Sequence, residues 1–256
     1  MKALVLSAGQ GRRLLPLTTE EPKCLLPVDG NRPVLELQLH ELARCGIRNA
    51  TVMVGFGAEK VERFLATHPL GGIEVRTRYN PFFETTNNLV TCWLAIPEMT
   101  EDFVLLNGDT IFETGVLRRV LASREDPVTL AIDRKAEYDE DDDMKVTLNG
   151  GRRLKVVGKT LPASTVNGES IGLMAFRGKG VEALRVALEA AIRDPAALHR
   201  WYLSVINSMA GSGLVHTVSI QGHWWTEIDT PDDLATARAH FVRREQHLNG
   251  QRSSSL

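Results

Sequence analysis

Strand-like and helix-like periods alternate through the first half of the chain, and that alternation restricts the fold more than any other feature of the sequence. Residues 3–6 are a short apolar run ending in Ser7-Ala8-Gly9. Residues 34–45 then carry Leu35, Leu39, Leu42 and Ala43 at helical spacing and stop at Gly46. The pattern repeats as a strand at 50–54, a helix at 58–66, a strand at 73–78, a helix near 87–96 and a strand at 103–106. Strands separated by helices of about ten residues are joined by crossovers rather than hairpins, so the spacing predicts βαβ units and an α/β, doubly wound, mostly parallel sheet. Ligands of such sheets bind at the carboxyl ends of the strands.

The pattern changes after Asp133. Residues 137–143 are acidic apart from one tyrosine, and 145–148, Asn149-Gly150-Gly151 and 153–157 read as a hairpin. A small antiparallel, lid-like insertion over about 134–170 is expected. Further on, 171–176 reads as a strand, 181–192 and 197–209 as helices, 214–220 as a strand and 231–244 as a closing helix. One domain over 1–245 accounts for these elements, followed by a polar, serine-rich tail at 246–256 expected to be flexible.

Composition narrows the partners. The 256 residues are 43% hydrophobic, enough for a full core. With 30 basic against 32 acidic side chains there is no global positive field to hold nucleic acid or an anionic bilayer. Apolar runs fall short of the roughly 18–20 residues of a membrane span, and Met1-Lys2 leads straight into a strand, so a soluble, cytoplasmic protein is expected. Cys24, Cys45 and Cys92 are isolated from one another, which excludes a disulfide framework and a Cys-x-x-Cys metal knuckle. No His-Glu-x-x-His pair is present. No helix shows a coiled-coil seam, and a monomer or homodimer is expected.

The loop after the first strand, Ser7-Ala8-Gly9-Gln10-Gly11-Arg12-Arg13-Leu14, combines a glycine pair that lets backbone N–H groups approach a polyphosphate with an arginine suited to clamp it. A dinucleotide fingerprint would need glycine at Leu14, and a Walker A loop at Gly158-Lys159-Thr160 would need glycine at Arg153. Both fail on spacing.

The chain continues Leu15-Pro16-Leu17-Thr18-Thr19-Glu20-Glu21-Pro22-Lys23. Taken together, Gly-x-Gly-x-Arg-Leu-x-Pro-Leu-Thr followed by Pro-Lys resembles the signature of nucleoside-diphosphate-sugar pyrophosphorylases and related cytidylyltransferases. The resemblance implies a Rossmann-like, GT-A-like nucleotidyltransferase fold, with Arg13 on the phosphates of a nucleoside triphosphate and Lys23 on the α-phosphate under attack. Electrostatics agrees, because the reacting phosphorus and the departing pyrophosphate both need positive charge placed on their oxygens.

Two acidic stations suit a metal. Asp109, in Asn107-Gly108-Asp109, stands at the carboxyl end of the 103–106 strand, where a carboxylate faces the crevice and can hold Mg²⁺. In Glu227-Ile228-Asp229-Thr230-Pro231-Asp232-Asp233, Thr230, Pro231 and Asp233 read as a capped helix start, leaving Asp229 spare. Glu227 and Asp229 are two apart, so in a strand they share a face. The resemblance assigns Mg²⁺ to Asp109, Asp229 and Glu227. Asp139, Asp141 and Asp143 alternate like a calcium loop, but Met144 stands where glycine is needed and Gly150 where glutamate is needed, so a solvated loop is expected.

The paired asparagines after Thr86 narrow the resemblance toward phosphocholine-type and inositol-phosphate cytidylyltransferases. It implies nucleotide contacts from Ala8, Gly9, Gly11 and Asn88, although Thr86 or Asn87 also serves as a helix cap. On the acceptor side it points to Lys159, with Lys145 a weaker choice, and to Glu169. Trp201, Tyr202, Trp224 and Trp225 are candidates for a cation–π cage or for packing. Leu203-Ser204-Val205 lacks the acidic residue that follows the aromatic pair in choline enzymes. The expected reaction is transfer of CMP from CTP to a small phosphorylated metabolite, phosphocholine-like, polyol phosphate or phosphonate, with pyrophosphate released. A sugar-1-phosphate uridylyl-, thymidylyl- or guanylyltransferase shares the chemistry. A glycosyltransferase would carry Asp-x-Asp at the strand end, and a non-catalytic, nucleotide-sugar-binding regulatory module would have lost Lys23 or an acidic station.

Overall fold

The computed structural model describes residues 1–139 and 142–253, with side chains to Gln246. In chain order it contains β1 (Lys2–Ser7), a short hairpin β2 (Pro27–Asp29) and β3 (Arg32–Pro33), α1 (Val34–Arg44), β4 (Asn49–Val54), α2 (Ala58–Thr67), β5 (Glu74–Tyr79), α3 (Asn88–Leu94), β6 (Phe103–Asn107), β7 (Thr110–Phe112) and α4 (Thr114–Ala122). There follow β8 (Val128–Asp133), β9 (Lys145–Leu148), β10 (Leu154–Gly158), β11 (Gly168–Phe176), α5 (Lys179–Ala191), α6 (Leu203–Met209), β12 (Val215–Ser219), β13 (Trp225–Glu227) and α7 (Pro231–Ser253).

The main sheet runs β10-β9-β11-β6-β1-β4-β5, with β8 on β11 and β12 on β8. β6, β1, β4 and β5 are mutually parallel, as the strand–helix alternation predicts. One layer of helices, with α3, α5 and α6, buries Leu89, Leu184 and Ile206 against one face of the sheet. The other, with α1, α2 and α4, buries Leu35, Leu39, Val61 and Val116 against the opposite face. A third, small cluster of Leu14, Leu26, Val28, Ile111, Ile228 and Leu234 ties the glycine loop, the β2–β3 hairpin and α7 together. Among the described residues no helix is long and apolar enough to cross a membrane.

The antiparallel hairpin expected over 145–157 is present as β9 and β10, and β9 pairs with β11 at Gly168 and Glu169, so the hairpin extends the main sheet. The reason is length. β11 uses only Leu173–Phe176 against β6, leaving the start of that edge for β9, while β8 pairs along its other edge with a register shift between Ser170 and Met174. Gly172 sits in that shift with φ 68°, and a Cβ there would lie 2.3 Å from Asn107 Nδ2.

The helix expected over 197–209 is broken into a 3₁₀ turn, Pro195–His199, and α6. The interruption spends its backbone groups on α3 instead. Asn87 N–H donates to the Leu198 carbonyl (2.7 Å), Leu89 N–H to the Arg200 carbonyl (3.3 Å), and Tyr202 N–H to Asn88 Oδ1 (2.9 Å). The closing helix, expected over 231–244, continues to Ser253. Asp141 of the would-be calcium loop lies outside the described residues.

Candidate active site

The glycine loop leaves β1 at its carboxyl end. Gly11 adopts φ 73°, and a Cβ there would lie 2.8 Å from Lys23 Cδ, so this glycine gives the lysine side chain its path across the loop. Thr18, fully buried, donates its hydroxyl to the Gly11 carbonyl at 2.8 Å and pins the loop to the segment leading to Lys23. Leu14 is buried in the third cluster, and this anchors the 3₁₀ turn Arg12–Leu14 from which Arg13 projects. Cys24, also buried, anchors the turn that carries Lys23.

The two acidic stations meet although 120 residues apart, because β7 and β13 pair antiparallel, with Thr110 opposite Glu227. Ile228 N–H extends that ribbon to the Asp109 carbonyl at 3.1 Å. Asp233 caps the start of α7, accepting from Thr230 N–H (2.7 Å) and Asp229 N–H (3.1 Å), so the Asp229 side chain is left for the cleft.

In the cleft the charged groups form a line of alternating sign. Lys23 Nζ lies 2.7 Å from Asp109 Oδ2 and also donates to Asp229 Oδ1. Asp229 Oδ2 accepts from Arg13 Nη2 at 2.7 Å, Arg13 Nη1 donates to Asp142 Oδ2 at 2.7 Å, and Asp142 Oδ1 lies 3.2 Å from Lys159 Nζ. Burial opposes the charge on Lys23, but Asp109 and Asp229 outweigh it and raise its pKa. Glu227 stands beside the same carboxylates. Burial first, then the negative charge of Asp109 and Asp229, pushes its carboxyl well above the ordinary range.

The donor set fits a hard divalent cation. Asp109 Oδ2 and Asp229 Oδ1 converge on one ammonium group, and Asp109 Oδ1 is buried without a hydrogen-bond partner among the described residues. Mg²⁺ is commonly held by one or two carboxylates, with water and substrate phosphates completing the shell. Among the described residues no group of three or more such ligands is gathered on a point.

Three adjoining cavities open around this line. One of about 210 Å³ is lined by Ala8, Gly9, Phe83, Asn88, Asn107 and Asp109. A second, about 470 Å³, is bounded by Gln10 to Arg13, Thr86, Asn87 and Asp229. The third, about 250 Å³, holds Arg13, Asp142, Lys159, Glu169, Trp201, Trp225, Glu227 and Asp229. Asn87 takes the capping role on α3, accepting from Asn88 N–H at 2.8 Å, while the Thr86 hydroxyl donates to the Phe82 carbonyl. Asn88 uses its Oδ1 on Tyr202 N–H, which leaves its amide N–H groups toward the cavities it lines.

The aromatic candidates separate. Trp201 and Trp225 line the third cavity, with Lys159 Nζ 4.9 Å from the Trp201 ring centre and Lys135 Nζ 5.7 Å from that of Trp225. Tyr202, 1% exposed, is in the core and presents no face to a ligand. Trp224 lies on the far side of the β7–β13 ribbon, stacked on His240 at 3.7 Å. A four-ring cage therefore does not form. Lys145 is buried and donates to the Lys159 carbonyl at 2.9 Å, supporting the backbone that carries Lys159.

Glu169 is buried 2.5 Å from Lys135 Nζ. Burial, then its hydrogen bond with Asp143, pushes its carboxyl up to about 8 against the pull of Lys135. Asp142 and Lys135 are the site residues that sequence reasoning misses. Both lie in the segment that follows β8, where no local period marks them, and only the β8–β11 pairing brings that segment over the cleft.

Comparison with known proteins gives a consistent set. A family model described as "Nucleotidyl transferase" matches residues 2–140. The chain is 28% identical to the bifunctional IPC transferase and DIPP synthase of Aquifex aeolicus over 94% of its own length and 52% of that protein. It is 40% identical to the CMP-5'-(3-aminopropyl)phosphonate synthase of Streptomyces rubellomurinus over 49% of its length and 20% of that protein. It thus spans about half or less of these relatives. The inositol-1-phosphate CTP transferase of T. maritima shares its fold, with TM-score 0.75 at 22% identity over 94% of this chain and 95% of the other.

Proposed function

The chain belongs to the nucleotidyl transferase family, and on that footing we propose that it transfers CMP from CTP to the phosphate or phosphonate of a small metabolite and releases pyrophosphate. The observation that carries this reading is the convergence of Lys23 and Arg13 on Asp229, with Lys23 also on Asp109, beside a glycine loop.

The acceptor's phosphate oxygen is already ionised near neutral pH, so no side chain has to deprotonate it and no covalent intermediate is required. The difficulty is to hold two anions together. Arg13 grips the triphosphate from the loop, Lys23 places its charge at the α-phosphate, and Lys159 receives the acceptor's phosphate from the end of β10. Ala8, Gly9 and Asn88 line the cavity we assign to the base and ribose. Asp109 and Asp229 would hold Mg²⁺, which would supply positive charge to the polyphosphate; Glu227 stands next to them. On binding, Lys23 exchanges its carboxylate partners for phosphate. Trp201 and Trp225 shape the acceptor cavity, which suits a small polyol, aminoalkyl or choline-like group, and the named phosphonate relative supports this class.

The test is pyrophosphate release with CTP, UTP, dTTP, ATP or GTP and Mg²⁺ against a library of small phosphate monoesters and phosphonates. Turnover with CTP and at least one acceptor is expected. Preference for another nucleotide overturns the cytidylyl assignment, and the absence of pyrophosphate with every pair overturns the reading.

A further inference from the structure

Asp109 lies in a two-residue connection, Gly108-Asp109, between β6 and β7. A carboxylate on so short a turn is placed only as well as the turn's two ends are fixed. Both ends are gripped by one side chain. Gln38, on α1 and fully buried, donates its Nε2 hydrogens to the Asn107 carbonyl at 2.7 Å and to the Thr110 carbonyl at 2.8 Å, 69 and 72 residues away along the chain. A primary amide has two N–H groups on one nitrogen, so Gln38 spans the connection and uses both donors on it.

Neighbouring groups also crowd the turn. A Cβ on Gly108 would lie 2.5 Å from Ser7 Oγ, one on Gly172 would strike the Asn107 side chain, and Gly108 N–H donates to the Leu6 carbonyl at 2.8 Å. The Thr110 hydroxyl is engaged by the Ile171 carbonyl at 3.2 Å. Gln38 Oε1, by contrast, is buried with no partner among the described residues. A methionine or leucine would fill the same space without stranding that oxygen, so packing alone does not account for an amide here.

We infer that Gln38 is a positioning residue that sets the Asp109 carboxylate by bracing both ends of the Gly108-Asp109 turn from beneath. It touches neither substrate nor metal. The inference rests on the proposed reaction for its kinetic consequence, because displacement of a reacting group by about 1 Å costs on the order of a hundredfold in rate.

The test compares Gln38→Met with wild type in three measurements: melting temperature, kcat and KM for pyrophosphate release at saturating Mg²⁺, and hydrogen exchange across residues 103–112. Gln38→Met removes both donors at nearly constant volume. The expected result is a melting temperature lower by only a few degrees, the cost of leaving two carbonyls without their donor, KM for CTP within about threefold, kcat lower by about ten- to a hundredfold, and faster exchange confined to 103–112. An unchanged kcat in the folded variant overturns the inference. So does a loss of activity that only follows a loss of melting temperature, with exchange raised throughout the protein. Should Gln38→Met not fold, Gln38→Asn, whose amide is one methylene too short to reach both carbonyls, carries the same expectation. Should wild type release no pyrophosphate at all, the proposed reaction fails, while local exchange in 103–112 still decides whether Gln38 braces the turn.

Discussion

Lys23 and Arg13 both reach Asp229, yet the two ends of the charge line that they occupy are built differently. The inner end is set in secondary structure: the Lys23 side chain is 11% exposed, and its carboxylate partners stand at the ends of paired strands. The outer end hangs on loops. Arg13 is 53% exposed and Asp142 45%, and nothing but side-chain contacts joins them to Lys159. The same unit charges act more strongly where water is excluded, so the inner end should govern the chemical step and the outer end substrate affinity.

The sharpest way to break this contrast is Lys23→Ala. Removal of a well-placed electrostatic group costs about 10² to 10³ in rate, and we expect kcat for pyrophosphate release to fall by at least that much. Turnover within tenfold of wild type would mean that the inner end is not where the reaction is governed.

Trp201→Ala tests the outer cavity wall. Loss of a ring that faces a cationic group is worth about 0.5–2 kcal/mol, so KM for the acceptor should rise by about two- to thirtyfold while KM for CTP stays put. An equal rise in both would make Trp201 a general structural support.

Asp142→Asn has the opposite sign. Against the burial that would raise it, hydrogen bonds from Arg13 and Lys159 hold the Asp142 carboxyl below the usual range, so this carboxylate sits between two cations that anionic substrates need. Neutralising it should lower the apparent KM for CTP or the acceptor by about two- to fivefold, the scale of an exposed ion pair. A raised KM would instead give Asp142 a part in substrate binding.

The smallest effect concerns pH. The Glu169 carboxyl is pushed up to about 8, above the unfolded value of about 4.3, so the folded chain holds that proton more tightly than the unfolded one. Its stabilising contribution is complete below about pH 4 and is lost as pH rises through 8. Glu169→Gln, neutral throughout, should therefore gain melting temperature relative to wild type between about pH 5 and 9. A difference that does not vary with pH would show that Glu169 is ionised over the whole range.

These outcomes also bear on how much could be read from the residues alone. The parallel half was legible because its periods are local: Leu35, Leu39 and Leu42 announce α1, and Phe103 to Leu106 announces β6. Lys23, Asp109 and Asp229 stood out because each lies in a motif at a strand end or helix start. Long-range register hid the rest. Trp201 and Tyr202 are neighbours in sequence, yet the interruption before α6 turns one outward and buries the other. Gln38 reads as an ordinary polar position between Leu37 and Leu39, and its meaning comes only from where α1 lies beneath β6 and β7.

The way the hairpin joins the sheet has a consequence for descent. Lys135, Asp142, Lys159 and Glu169 all belong to one continuous piece of chain, stitched to the main sheet through β9 and the first residues of β11, whereas the cavity we assign to the nucleotide is built from the glycine loop, α3 and the parallel strands. Exchange of that piece as a cassette would therefore replace the charged wall of the cavity we assign to the acceptor, while Trp201, Trp225 and the cavity we assign to the nucleotide stayed in place.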